Sequence, residues 1–204
     1  MANMTYINAF LNRDGVEGPC VTRGYIPANP RNFYGDSNQN PAKYKAIGAS
    51  GVTIATGCDL GQTDCPSLRG YGVPEDLVTI LMPYIGRRKS NAIQMLRQKP
   101  LVISRDAAEL LDLCVHNGYL DRYVRPAYEK YSRFPFDNLP NQAQAVVFSV
   151  CFQKGCGGVR RDWPKLWSYL VSRNWKAASN ELLYGFKTYK LRRSIEGTLL
   201  KEII

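Results

Sequence analysis

Glu17-Gly18, followed after a long polar insertion by Gly51-Val52-Thr53-Ile54-Ala55-Thr56-Gly57-Cys58-Asp59-Leu60-Gly61, is the stretch that decides how this chain reads. Residues 4–17 carry Ile7, Phe10, Leu11 and Val16 on one side at helical spacing, so Glu17 is expected to close a first helix. Val52-Thr53-Ile54-Ala55 reads as a short strand, and Asp59 stands where it gives way to glycine-flanked turns. The expected arrangement is a carboxyl at a helix end facing a strand that ends in a second carboxyl, with a hydroxyl between them. Cleavage of a glycosidic bond needs a proton donor for the leaving oxygen, a group that activates water and an anchor for that water. A helix C-terminus carries partial negative charge, so it is expected to raise the Glu17 pKa and keep the acid protonated. Each residue also has a plainer reading. Glu17 is then a surface acid before a turn, Thr53 a β-former and Asp59 a turn cap.

At 204 residues the chain is long enough to bury a full core. Its 45% apolar and 22% charged content excludes a mainly disordered chain. The longest apolar run, Ala143 to Phe152, is interrupted by Gln144 and Ser149 and is too short for a membrane span, so no stable membrane insertion is expected. Met1-Ala-Asn-Met-Thr-Tyr6 has neither a basic n-region nor an apolar h-region, which predicts synthesis in the cytoplasm without a cleaved secretory signal. The net charge of +10 calls for an acidic partner, either nucleic acid, an anionic membrane or an anionic wall polymer. Basic clusters occur only at Arg87-Arg88-Lys89, Arg160-Arg161 and Lys190 to Arg193, without the interleaved aromatics of a nucleic-acid groove. Nucleic acid is therefore not expected.

Six cysteines are present at positions 20, 58, 65, 114, 151 and 156, with no Cys-x-x-Cys and a single histidine, His116. A structural zinc site is poorly supported, and no metal or other cofactor is expected. Cys114 and Cys151 fall in apolar helical patterns and read as buried thiols. Cys58 with Cys65 is the pairing to test, since a bridge there would close the loop after the strand.

The chain reads as one α+β domain over residues 1–204. A first helix and a small loop-rich β lobe occupy 1–65, a Gly/Pro/Ser linker 66–73 and a helical lobe 74–204, with the cleft between the lobes. The β lobe carries strand-like runs at Gly24-Tyr25-Ile26 and 52–55, and an insertion from Ala28 to Ala49. Pro74-Glu75-Asp76 opens a helix, Lys89 to Gln98 is a second, and Ser104 looks like the N-cap of a third. Ala143 to Gln153, stopped by Gly155, is the most buried-looking helix, and shorter ones follow at 162–172, 174–184 and 189–203. Trp163, Trp167 and Trp175 recur at near-helical spacing with Leu166 and Leu170 and read as core.

Glu17-Gly18 and the 51–61 segment together resemble the active-site region of phage-type lysozymes, in particular the pesticin-like branch. The resemblance continues in order through Ser104-Arg-Asp-Ala-Ala-Glu-Leu-Leu, Asn141-Gln-Ala-Gln-Ala-Val-Val-Phe-Ser-Val-Cys-Phe-Gln-Lys-Gly155 and the Trp-bearing hairpin from Leu166 to Ala178. It implies a lysozyme-like fold and peptidoglycan as the partner. The reaction it implies is inverting hydrolysis of the β-1,4 bond between N-acetylmuramic acid and N-acetylglucosamine. By position, Glu17 would be the general acid, Thr53 would position water and Asp59 would orient or activate it. Tyr25, Tyr34 and Gln153 are candidate sugar-binding residues. In the simplest phage enzymes the second carboxyl lies between the Glu and the Thr. Here that place holds Gly48-Ala49-Ser50, and the one acid in the interval is Asp36 in a polar loop. Asp59 is preferred because the strand bearing Thr53 fixes it. Lys190, Arg192 and Arg193 lie where these lysozymes often bring a basic side chain near the acid, and equally read as a solvated basic helix.

Two rivals remain at this level. A lytic transglycosylase needs only the single Glu, and a non-catalytic wall-binding or nucleic-acid-binding protein needs only the charge. The setting, whether phage endolysin, bacteriocin domain or secreted effector, stays open; action on the wall after export or lysis would require delivery machinery, and an immunity protein is expected in the effector case.

Overall fold

The first helix ends well short of Glu17. Asn3 caps it by accepting the Tyr6 N–H, and α1 runs only over Met4–Leu11. Asn12 to Gly15 then turn the chain, with Gly15 at a φ of 85°. The left-handed backbone is what favours glycine there; a Cβ would come within 2.8–2.9 Å of the Leu191 and Ile195 side chains, whose ends would have to shift. The computed structural model describes residues 1–204, which divide into two compact units, 19–118 and 1–18 with 119–204.

In the 19–118 unit, β1 (Val21–Tyr25) begins a small antiparallel sheet. The insertion folds into a two-stranded hairpin of β2 (Ala28–Asn29) and β3 (Lys45–Ala46). β4 (Thr53–Ala55) pairs with β1 on one side and with β5 (Cys58–Asp59) on the other, giving the order β1-β4-β5. Helices follow: α2 (Cys65–Gly70), α3 (Glu75–Leu81), α4 (Lys89–Gln98) and α5 (Arg105–Tyr119), the last beginning in this unit and ending at its boundary. The start of α5 is set by Ser104, whose hydroxyl accepts the Ala107 N–H at 3.1 Å.

The expected 66–73 linker is thus a helix for most of its length. Asp64 accepts the Ser67 N–H at 2.7 Å and Pro66 sits in the first turn, two start signals that outweigh the Gly/Ser content. The division of the chain also falls at Gly118–Tyr119 and not at that segment. Residues 101–103 explain this, because they add to the sheet edge: Gly24 N–H donates to the Leu101 carbonyl and Ile103 N–H to that of Thr22, both at 2.9 Å.

The other unit joins the two ends of the chain. A π-helical turn, Leu120–Val124, leads into α6 (Arg125–Tyr131). Then come α7 (Asn141–Lys154), α8 (Cys156–Asp162), α9 (Pro164–Val171), α10 (Trp175–Tyr184) and α11 (Lys190–Lys201). α7 is buried all round from Ala143 to Cys151, Gln144 and Ser149 included, and Gly155 at φ 73° ends it. Around it pack Ile7, Phe10 and Leu11 of α1, Val124, Tyr128, Leu166, Leu170 and Leu199. Each such fully buried side chain contributes about 1.5–3 kcal/mol. Trp167 is in this core, and Trp163 and Trp175 pack against it. The architecture is α+β, mostly helical with one small antiparallel sheet. No helix is long and apolar enough to cross a membrane.

Candidate active site

Glu17 lies in the turn after α1, where its N–H donates to the Leu11 carbonyl at 3.1 Å. The chain reverses there, so the helix-end dipole expected to act on Glu17 is not its main perturbation. Burial is. The side chain is only 17% exposed, and desolvation pushes its carboxyl above the usual range. Arg192 opposes that shift, donating from Nη1 to Glu17 Oε1 at 2.6 Å, and Arg193 opposes it at longer range.

Neither arginine belongs to a solvated basic helix, since Arg192 is 6% and Arg193 1% exposed. α11 carries both inward. A guanidinium has five N–H donors, and those of Arg192 are all directed to acceptors. Nη1 donates to Glu17 Oε1 and to the Val16 carbonyl, Nη2 to the carbonyl and the hydroxyl of Ser149, and Nε to Glu196 Oε1 at 3.2 Å. Glu196 is wholly buried and also takes bonds from the Ser149 hydroxyl at 2.6 Å and from Arg193 Nη2 at 3.0 Å. Gln153, a candidate sugar-binding residue, turns its Oε1 to Arg193 Nη2 at 2.6 Å. Arg193 stacks over Trp163 and Phe186, 5.0 and 5.5 Å from their ring centroids.

Thr53 and Asp59 are brought together by the hairpin. They are directly opposite in the β4–β5 ladder, which sets both side chains on one face of the ribbon. Asp59 does cap the turn that follows: its Oδ1 accepts the N–H groups of Gly61 at 2.9 Å and Gly51 at 3.0 Å. Both bonds fall on the same oxygen, which fixes the carboxyl while Oδ2 takes no part in them. Two glycines are needed here because a Cβ on Gly51 would meet the Gly61 Cα at 2.6 Å, and one on Gly61 the Gly51 Cα at 2.8 Å. Burial pushes the Asp59 carboxyl up, against the two N–H bonds and the charge of Arg88. Asp36, by contrast, is ion-paired with Arg23 on an exposed loop. Tyr25 and Tyr34 lie with ring centroids 5.9 Å apart, and the Arg23 guanidinium sits 5.2 Å from the Tyr34 ring.

A second polar cluster underlies the hairpin. Asp112 on α5 accepts the Thr56 N–H at 2.8 Å and the Thr56 hydroxyl at 2.6 Å, with His116 one turn further on and buried. The six cysteines are thiols, so the Cys58–Cys65 bridge is not formed. Cys151 is buried as expected, whereas Cys114 is half-buried, its thiol directed to the Gly72 carbonyl. Cys20 and Cys58 are each pushed up to about 12, mainly by burial, with the Asp112 charge adding to it. No group of three or more His, Cys, Asp or Glu side chains is arranged to hold a metal ion.

Ser149, Glu196 and Asp112 are the polar residues that sequence reasoning passed over. The spacing of Arg192 and Glu196 by one helical turn is a signal, but it describes exposed surface pairs just as well.

The family model for Pesticin, described as a bacterial toxin homologue of phage lysozyme (C-terminal), matches residues 8–176. No functionally curated protein matches the chain.

Proposed function

The chain belongs to the pesticin family of bacterial toxin homologues of phage lysozyme, and from that premise we propose that it is a peptidoglycan muramidase. It would hydrolyse the β-1,4 bond between N-acetylmuramic acid and N-acetylglucosamine. Glu17 gives its proton to the leaving glycosidic oxygen. Asp59 takes a proton from the attacking water through Oδ2, and the Thr53 hydroxyl beside it fixes that water. Inversion follows from attack on the face opposite the leaving group, and it requires the two carboxyls to stand roughly 6.5–9.5 Å apart. Tyr25 and Tyr34 offer ring faces to the saccharide. The family favours a toxin over an endolysin, so delivery to the wall and a protective immunity partner belong to the same reading.

The observation that carries this proposal is the state of Glu17, a carboxyl raised by burial while one guanidinium fixes its direction. A general acid must hold its proton near the working pH and aim it. The test is clearing of permeabilised cells by wild type and Glu17→Gln, with mass spectrometry of the released muropeptides. Clearing by wild type alone, with reducing N-acetylmuramic ends, is the expected result. Anhydromuramic ends would make the protein a transglycosylase. Equal behaviour of the two proteins would leave a wall-binding protein.

A further inference from the structure

Beyond Glu17 and its arginine, the buried cluster contains a carboxylate to which the reaction assigns no step. Glu196 lies one helical turn past Arg192, wholly buried, and accepts from three donors: Arg192 Nε, Arg193 Nη2 and the Ser149 hydroxyl. The charged groups facing it are the two arginines of its own helix. α7 contributes only the neutral Ser149 and Gln153. Arg193 is in turn faced by Trp163 and Phe186, and by the Tyr189 phenol, whose field it feels.

We propose that Glu196 is a positioning residue for Glu17, holding the Arg192 guanidinium in place and taking up part of its charge so that Arg192 orients Glu17 without forcing it to ionise. The inference rests on Glu17 being the acid. The charge count supports it. Burial pushes the Glu196 carboxyl up, while Arg193, Arg192 and the Ser149 hydroxyl pull it down. With Glu17 protonated and Glu196 ionised, the two arginines and Glu196 sum to +1, whereas without the Glu196 charge they would sum to +2, and a second net cation beside a carboxyl favours its ionised form. A carboxylate held ionised by its partner cannot donate. The geometry is that of a relay on one guanidinium, with Nη1 on Glu17 and Nε on Glu196. Ser149 ties the two ends together, since its hydroxyl donates to Glu196 and accepts from Arg192 Nη2.

The test compares wild type, Glu196→Gln and Glu196→Asp in two measurements: the pH profile of cell clearing, and the titration of the Glu17 carboxyl by carbon-detected NMR, assigned with Glu17→Gln. For Glu196→Gln, the alkaline limb of the profile and the Glu17 midpoint are both expected to move to lower pH by about one unit, while Glu196→Asp, which keeps the charge, restores most of the wild-type value. A uniform loss of activity with an unmoved limb, or a Glu17 midpoint unchanged by Glu196→Gln, overturns the proposal. If wild type clears no cells, the muramidase reading fails, and the NMR midpoint still decides the coupling. Should Glu196→Gln be too unstable to purify, the Arg192 Nε–H resonance of wild type decides it. That resonance should shift at the Glu17 midpoint, and one indifferent to that midpoint overturns the proposal.

Discussion

Arg192 reaches Glu17 from 175 residues further along the chain and bonds its Oε1 at 2.6 Å, yet burial still outweighs that bond and leaves the carboxyl above its usual range. The native protein therefore binds the Glu17 proton more tightly than the unfolded chain does. Its contribution to stability is fully present below the ordinary glutamate pKa and is lost as pH rises through the raised native value. Glu17→Gln has no such loss. Thermal unfolding of the two proteins should differ least at acid pH, and the variant should gain relative to wild type as pH increases through that window. An advantage that grows toward acid pH would contradict the raised value.

The second carboxyl can be tested by neutralising each candidate in turn. Asp59→Asn retains the acceptor that holds Gly51 and Gly61 but removes the proposed base, and should lower the clearing rate on the order of 10²-fold or more with the fold intact. Asp36→Asn breaks an exposed pair with Arg23 and should leave the rate within about twofold, as expected for surface ion pairs. Rates from purified proteins of matched circular dichroism decide the assignment, and a large loss confined to Asp36→Asn would reverse it.

Close contact of Gly51 with Gly61 makes a third prediction. Gly61→Ala puts a methyl within 2.8 Å of Gly51 Cα and 3.1 Å of Asp59 Oδ1. Overpacking of this kind costs about 1–3 kcal/mol. It also pushes apart the two N–H groups that grip Asp59. Chemical denaturation should show the loss of stability, and the clearing rate at a temperature where the variant remains folded should fall as well. Gly72→Ala is the comparison for backbone strain alone, because at a φ of 84° its methyl would meet nothing within 4 Å.

Thiol chemistry separates the cysteines. Cys20 and Cys58, pushed up to about 12, are almost wholly protonated at pH 8, and Cys151 is buried and also raised. Cys156, half-buried at the start of α8, is held below the usual thiol range by its neighbour Cys151. Brief treatment of the folded protein with iodoacetamide should label Cys156 ahead of the others and leave Cys20, Cys58 and Cys151 unmodified. Peptide mass spectrometry reads the order.

Much of this was visible in the residues, and the exceptions have separate causes. α4 and α7 stand close to where periodicity and stop signals place them, and the hairpin bearing Thr53 and Asp59 follows from a β-branched run ended by Gly57. α2 escaped because six residues with Pro66 and Ser67 give no period to detect; its evidence was the Asp64 cap. α1 was read too long because Val16 continues the apolar spacing by chance past the turn at Gly15. The environment of Glu17 was legible only in part: the family resemblance places Lys190, Arg192 and Arg193 near the acid, and Arg192 is the one that reaches it. Nothing near Glu17 in sequence shows that Ser149 and Glu196 will hold the arginine that reaches it, and a buried Arg192–Glu196 step reads in sequence like any solvated ion pair.

The unit that holds Glu17 is built from segments on both sides of residues 19–118, and this bears on how it forms. During translation, α1 is made well before α7, on which it packs, and the guanidinium bonded to Glu17 belongs to α11, made later still. Contacts so distant in sequence form late and slowly. A nascent chain still short of α11 thus carries a complete strand hairpin and a Glu17 without its guanidinium partner, so that pair cannot close until synthesis has passed Arg192.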